Sequence, residues 1–209
     1  APSENCDDGN AVNGDGCSNQ CTIVGENSCA RAVSFANLDV EDFPGSTAAW
    51  TIAPDNLSGV QTQNTPNPTV ALFGEDAATG SYVVRMEVLA PITFNDDDYI
   101  GLAIGFNPGD ASNTNANYLV VDWMQAVQGG AQEGLRLVHV RGVVNAGTHN
   151  NHRIALRQCP NATTSCAKEL AQGRRFATTG WTDQTPVEAI ITYRPDHLEI
   201  RIDNILEFD

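Results

Sequence analysis

The stretch "VEAIITYRPDHLEIRIDNIL", residues 187–206, decides the fold class. Val187 to Arg194 is rich in β-branched and aromatic residues, which suit an extended pleated backbone. Pro195-Asp196 is a strong turn signal. Beyond it, Leu198, Ile200 and Ile202 alternate with Glu199, Arg201 and Asp203. A period of two puts the three apolar side chains on one face, so one side of the strand is wet. The pattern predicts a strand over 187–194, a tight turn, and a second strand over 197–206. Working outward, "GLRLVHVRGVV" (134–144), "NYLVVDWMQAV" (117–127), "YIGLAIGF" (99–106) and "SYVVRMEVLA" (81–90) repeat the same composition. Helical periodicity is confined to one short turn around Ala167 to Ala171. Strands joined by Gly-, Asn- and Pro-bearing turns predict an all-β fold, an antiparallel two-sheet sandwich of jelly-roll type.

Composition narrows the functions open to such a fold. The 209 residues carry 26 Asp and Glu against 11 Lys and Arg, a formal net charge of −15. Lys168 is the single lysine. A nucleic acid would meet repulsion along most of this surface, which excludes that class of partner. No apolar run approaches the 18 or so residues a membrane helix needs, so no membrane insertion is expected. The acid excess either feeds divalent-cation sites or keeps the protein soluble. No targeting segment precedes Ala1, as expected of a mature chain whose export signal has been removed.

The first 31 residues differ from the rest. "CDDGNAVNGDGCSNQC" (6–21) sets cysteines among Asp, Asn and Gly with almost nothing apolar. Too little surface can be buried there to hold a fold, so cross-links must replace a core. Cys6, Cys17, Cys21 and Cys29 allow three pairings, among which the sequence does not choose. Cys159 and Cys166 flank the turn-forming "PNATTS" and are expected to close one small loop. Six cysteines without CxxC pairs indicate disulfides and an oxidising compartment, hence a secreted or cell-surface protein. The expected organisation is a cysteine-rich, disulfide-stapled module over 1–31 and a β-sandwich over 32–209. Asp7, Asp8, Asn10, Asn13 and Asp15 offer oxygens to a calcium ion but lack the order of an EF-hand loop. Asx turns account for the same residues without a metal.

The most specific segment is "FNDDDYIGLAIGF" (94–106). Three adjacent aspartates repel one another, and a bound cation would reverse the sign of that term. With "YLVVDWMQ" (118–125), "GW" followed by Asp183, and "YRPDHLEIRI" (193–202), the segment resembles the C-terminal, L-type lectin-like domain of thrombospondins. "WTIAPDNLSGVQTQNTPNPTVALFG" (50–74) resembles that domain's opening strands. The resemblance covers about residues 35 to 209. It implies a lectin-like jelly roll whose cofactor is Ca2+, held at one edge by loop carboxylates, with Asp96, Asp97 and Asp98 as the candidates. Successive side chains of an extended segment point to opposite sides, so one or two of the three are expected to bind, helped by backbone carbonyls or Asn95; a solvated loop with Asx turns is the alternative reading. Two departures stand out. The calcium-wrapped repeats and growth-factor-like modules that precede this domain in thrombospondins are absent, and the opening motif instead resembles the cysteine-rich repeats of secreted myxobacterial-type proteins. The family domain also continues for a few strands past the point matching "IDNILEFD". The sandwich is therefore expected to be incomplete at its C-terminus: either another chain or fragment supplies the missing strands, an open sheet edge then allowing self-association, or the end is a truncation or a disordered remainder.

Other chemistry is weakly signalled. His149 and His152 in "THNNH" sit among Gly and Asn and read as a loop, not a zinc site. Glu199, Asp203 and Glu207 recur every four residues, which along one strand spaces them about 13 Å apart, too far for a glycosidase pair. They read as solvent-facing acids. Among Trp50, Trp123 and Trp181, Trp123 reads as core and Trp181 as the candidate ligand contact. The expected function is non-enzymatic: a secreted calcium-binding module for adhesion, matrix or surface assembly, with extracellular protein or glycan partners. The alternatives are a carbohydrate-binding lectin domain and, below it, a jelly-roll glycoside hydrolase.

Overall fold

The computed structural model describes residues 32–43, 47, 49–62, 69–72, 82–88, 99–127, 131–143, 166–194 and 196–209. Within these lie twelve strands: β1 (Asp39–Asp42), β2 (Trp50–Ile52), β3 (Gly59–Gln61), β4 (Thr69–Leu72), β5 (Tyr82–Val88), β6 (Tyr99–Ile104), β7 (Asn117–Met124), β8 (Gly134–Arg141), β9 (Cys166–Gln172), β10 (Val187–Arg194), β11 (His197–Ile202) and β12 (Ile205–Phe208). Two antiparallel four-stranded sheets result. Sheet I has the order β12-β11-β10-β5 and sheet II the order β6-β7-β8-β9, while β1-β4 and β2-β3 form separate ribbons. The fold is all-β, and the two large sheets face each other as a β-sandwich.

Register explains how the core is built. In sheet II, Trp123 pairs with Leu135, Val121 with Leu137 and Leu119 with His139, so Leu119, Val121, Trp123, Leu135 and Leu137 share one face. These residues join Ile191, Ile200, Ile202 and Phe208 of sheet I in one apolar cluster between the sheets. The opposite face of sheet II carries Tyr118, Val138, Val140 and Ala167, and these pack with Phe43 in a second cluster. Val70 of β4 and Phe106 close over it. Both faces of sheet II thus bury apolar side chains, with Asp122 and Arg136 buried on the second face, which is why β7 reads as a nearly continuous hydrophobic run.

Two expectations from the sequence are corrected. The segment 197–206 is not one strand but a hairpin, β11 and β12, turned at Asp203 and Asn204. Both turn residues have positive φ, 49° and 63°, the type I′ geometry that Asp and Asn tolerate. The turn folds Glu207 onto β12, where it is only 1% exposed, so it is not a solvent-facing acid. The short helical turn expected around Ala167 to Ala171 is instead the body of β9. Val138 pairs with Glu169 and Leu137 with Ala171, leaving Leu170 as an extra residue, 49% exposed. That bulge breaks the alternation on which a strand would have been recognised.

Gly101 marks a close approach of strands. A Cβ there would collide with the Val121 carbonyl oxygen of β7. Gly105, at φ 77°, ends β6 and turns the chain into the loop that follows.

Candidate functional site

The aspartate run expected to hold calcium, Asp96 to Asp98 with Asn95, lies outside the described residues, as do Asp7, Asp8, Asn10, Asn13 and Asp15. Cys6, Cys17, Cys21, Cys29 and Cys159 lie outside them too, and for Cys166 only the backbone is described, opposite Arg141 at the start of β9. Tyr99, directly after Asp98, opens β6, the outer strand of sheet II, and pairs with Met124 of β7. Among the described residues, no three His, Cys, Asp or Glu side chains gather to hold a metal ion.

An oxygen-rich loop that the sequence reading passed over follows β6. Residues 107–116 run through a series of turns over Tyr118. Asp110, 3% exposed, accepts from the Asn107 N–H at 2.9 Å and from Asn113 Nδ2 at 2.8 Å. Glu41 reaches in from β1 and accepts from the N–H groups of Gly109 and Ala111. All four carboxylate oxygens therefore receive N–H donors, which satisfies their charge without a cation. The Tyr118 ring meets Phe106 edge-on, with centroids 4.8 Å apart. Its hydroxyl is buried without a partner, and burial, then Asp110 and Glu41, push its ionisation far above the ordinary tyrosine range.

A second polar group clasps the segment 173–181. Glu207 Oε2 accepts from the N–H of Arg175 at 3.0 Å and of Phe176 at 3.4 Å. Arg136, 3% exposed, donates to the carbonyls of Leu135 at 2.9 Å and Ala177 at 2.6 Å and pairs with Glu169 at 3.3 Å. Trp123 donates from Nε1 to the Thr179 carbonyl at 2.8 Å and stacks at a tilt on Phe176. Trp181, the candidate ligand contact, is half-buried and packs against the inter-sheet core. Trp50 lines a shallow apolar hollow with Phe35, Leu38 and Val40, its indole N–H buried without a partner.

The third polar group was also missed from sequence. On β8 and β9, His139 pairs with Lys168, and Arg141 follows His139 by two residues, so all three share a face. Asn117 of β7, paired with Arg141, joins them through a 2.6 Å hydrogen bond between its Oδ1 and His139 Nε2. Burial, then the charges of Arg141 and Lys168, hold His139 below its ordinary pKa. A cross-strand register brought these groups together, and no local motif could have announced it.

No helix among the described residues is long and apolar enough to cross a membrane. The chain matches no family model and no curated protein.

Proposed function

We propose that the chain is a secreted, non-enzymatic adhesion or matrix-assembly module, built as a jelly roll of the thrombospondin C-terminal, L-type lectin-like kind and stabilised by calcium. What supports this reading is that "NDDD" immediately precedes in sequence Tyr99, the first residue of β6, an outer strand of a four-stranded sheet in a two-sheet sandwich. An outer strand has unpaired backbone carbonyls beside it, the type of ligand that completes a carboxylate calcium site. Asp96, Asp97 and Asp98, with Asn95, would supply the side-chain oxygens. The ion's two positive charges would offset most of the repulsion among the three adjacent aspartates and tie the entry of β6 to the sheet.

Calorimetric titration of chelator-treated full chain with calcium tests this. One or more calcium ions should bind, melting should rise with free calcium, and Asp97→Asn with Asp98→Asn should abolish the rise. Protein that takes up no calcium and melts at the same temperature in chelator would overturn it.

A further inference from the structure

We propose that His139, Arg141 and Lys168, together with Asn117, form a binding site for a small oxyanion, a sulfate or carboxylate group of the kind an acidic sugar carries. The argument begins with where cations stand in a chain with more than twice as many acids as bases. Arg85 pairs with Glu188, Arg136 with Glu169, Arg174 with Asp209 and Arg201 with Glu199. Arg175 lies over the Phe176 ring, 4.5 Å from its centroid. Arg141 and Lys168, by contrast, are exposed neighbours that pair with no carboxylate among the described residues. Placing two cations and an imidazole side by side costs energy that any adjacent acid would have relieved. The charges acting on His139 are both positive. An anion seated among the three removes that repulsion.

Geometry suits one compact ligand. Residues paired across an antiparallel ladder stand about 5 Å apart, and successive residues on one face about 7 Å apart. The flexible lysine and forked arginine can close that distance on one tetrahedral or planar oxyanion. Asn117 Oδ1 accepts from His139 Nε2, which fixes the ring and leaves Nδ1 to take up the second proton. The opposite face of the same strands, at Val138, Val140 and Ala167, is packed in the core. The basic groups therefore stand on the face turned toward sheet I, beside Leu119 and Leu137, with His139 half-buried and Arg141 and Lys168 exposed. A long polyanion laid over this rim would meet the net charge of −15 beyond it, so the chemistry favours a short ligand.

The inference is independent of calcium. The test is titration of the full chain with sodium sulfate at low ionic strength, matched with sodium chloride, following the His139 ring by NMR. Saturable shifts with sulfate beyond those with chloride are expected, with the His139 pKa rising on saturation. Arg141→Gln with Lys168→Gln should weaken binding at least tenfold, whereas Arg85→Gln, which removes an ion-paired surface charge, should leave it unchanged. Glucuronate and a sulfated monosaccharide distinguish the source: binding at least tenfold tighter than inorganic sulfate assigns the site to an acidic sugar, and equal binding assigns it to the free oxyanion. Sulfate acting no differently from chloride would overturn the proposal, as would equal losses in the Arg85 variant and the double variant. A heparin-like polymer binding more tightly than the short ligands, with no loss in the double variant, would do the same.

Discussion

The two ends of the β8–β9 ladder carry the same kind of side chain and use it in opposite ways. At one end, Arg136 is buried, its guanidinium shared between backbone carbonyls and the Glu169 carboxylate. At the other, Arg141 and Lys168 stand exposed and pair with no carboxylate among the described residues. A buried charge persists only where its desolvation is offset by several fixed partners, so Arg136 is a structural tie. An exposed cation needs no such partners, and its position costs little unless another cation stands next to it. The contrast separates charge that holds the fold from charge available to a ligand.

The strongest way to break this contrast is Arg136→Ala. It leaves the Ala177 carbonyl without its donor and the Leu135 carbonyl with the Gly173 N–H alone, and destabilisation of about 3 kcal/mol is expected, read as a lower denaturation midpoint with an unchanged m-value. Arg141→Gln and Lys168→Gln in the same assay should each stay within about 0.5 kcal/mol of the parent. Should the rim variants cost as much as Arg136→Ala, the distinction collapses.

A smaller effect of the opposite sign is expected at Tyr118. Its ring is packed but its hydroxyl is buried without a partner, so Tyr118→Phe should be neutral or stabilising by up to about 1 kcal/mol. Tyr118 ionises higher in the folded state than in the unfolded one. Its contribution is therefore fully present below pH 10 or so and is lost as pH rises further. Melting curves from pH 9 to 11 should show the parent losing stability faster than the Phe variant. Parallel curves would show that the hydroxyl is not isolated.

The smallest effect sharpens the rim. His139 binds its proton less readily folded than unfolded. Stability from this group is fully present above an unfolded pKa of about 6.5 and declines as pH falls through the folded value. His139→Gln should flatten that decline between pH 7 and 5, and saturating sulfate should flatten it in the parent. An identical pH profile in the Gln variant would remove the like-charge interaction from the account.

Much of the fold was legible in the chain. The strand over 187–194 matches its expectation residue for residue, and the strands around 81–90, 99–106, 117–127 and 134–144 differ only at their ends. Each is a run of β-branched and aromatic residues, a signal local enough to read. Misreadings arose where one residue altered the pattern. Leu170 bulges out of β9 and gives five residues a helical look, and Asp203-Asn204 reads as strand until both residues are seen at positive φ.

By itself, the sequence determined the all-β class, the two-sheet sandwich and the acid excess, because period-two alternation, turn residues and charge are written residue by residue. Only the tertiary structure decided which strands share a sheet, in what register, and which charges meet. Register joins Asn117, His139, Arg141 and Lys168 from three separate strands. Folding back at a hairpin carries Glu207 into the interior beneath residues 175 and 176. Such encounters depend on pairing between segments far apart in the chain, and a pattern of nearest neighbours holds no information about them.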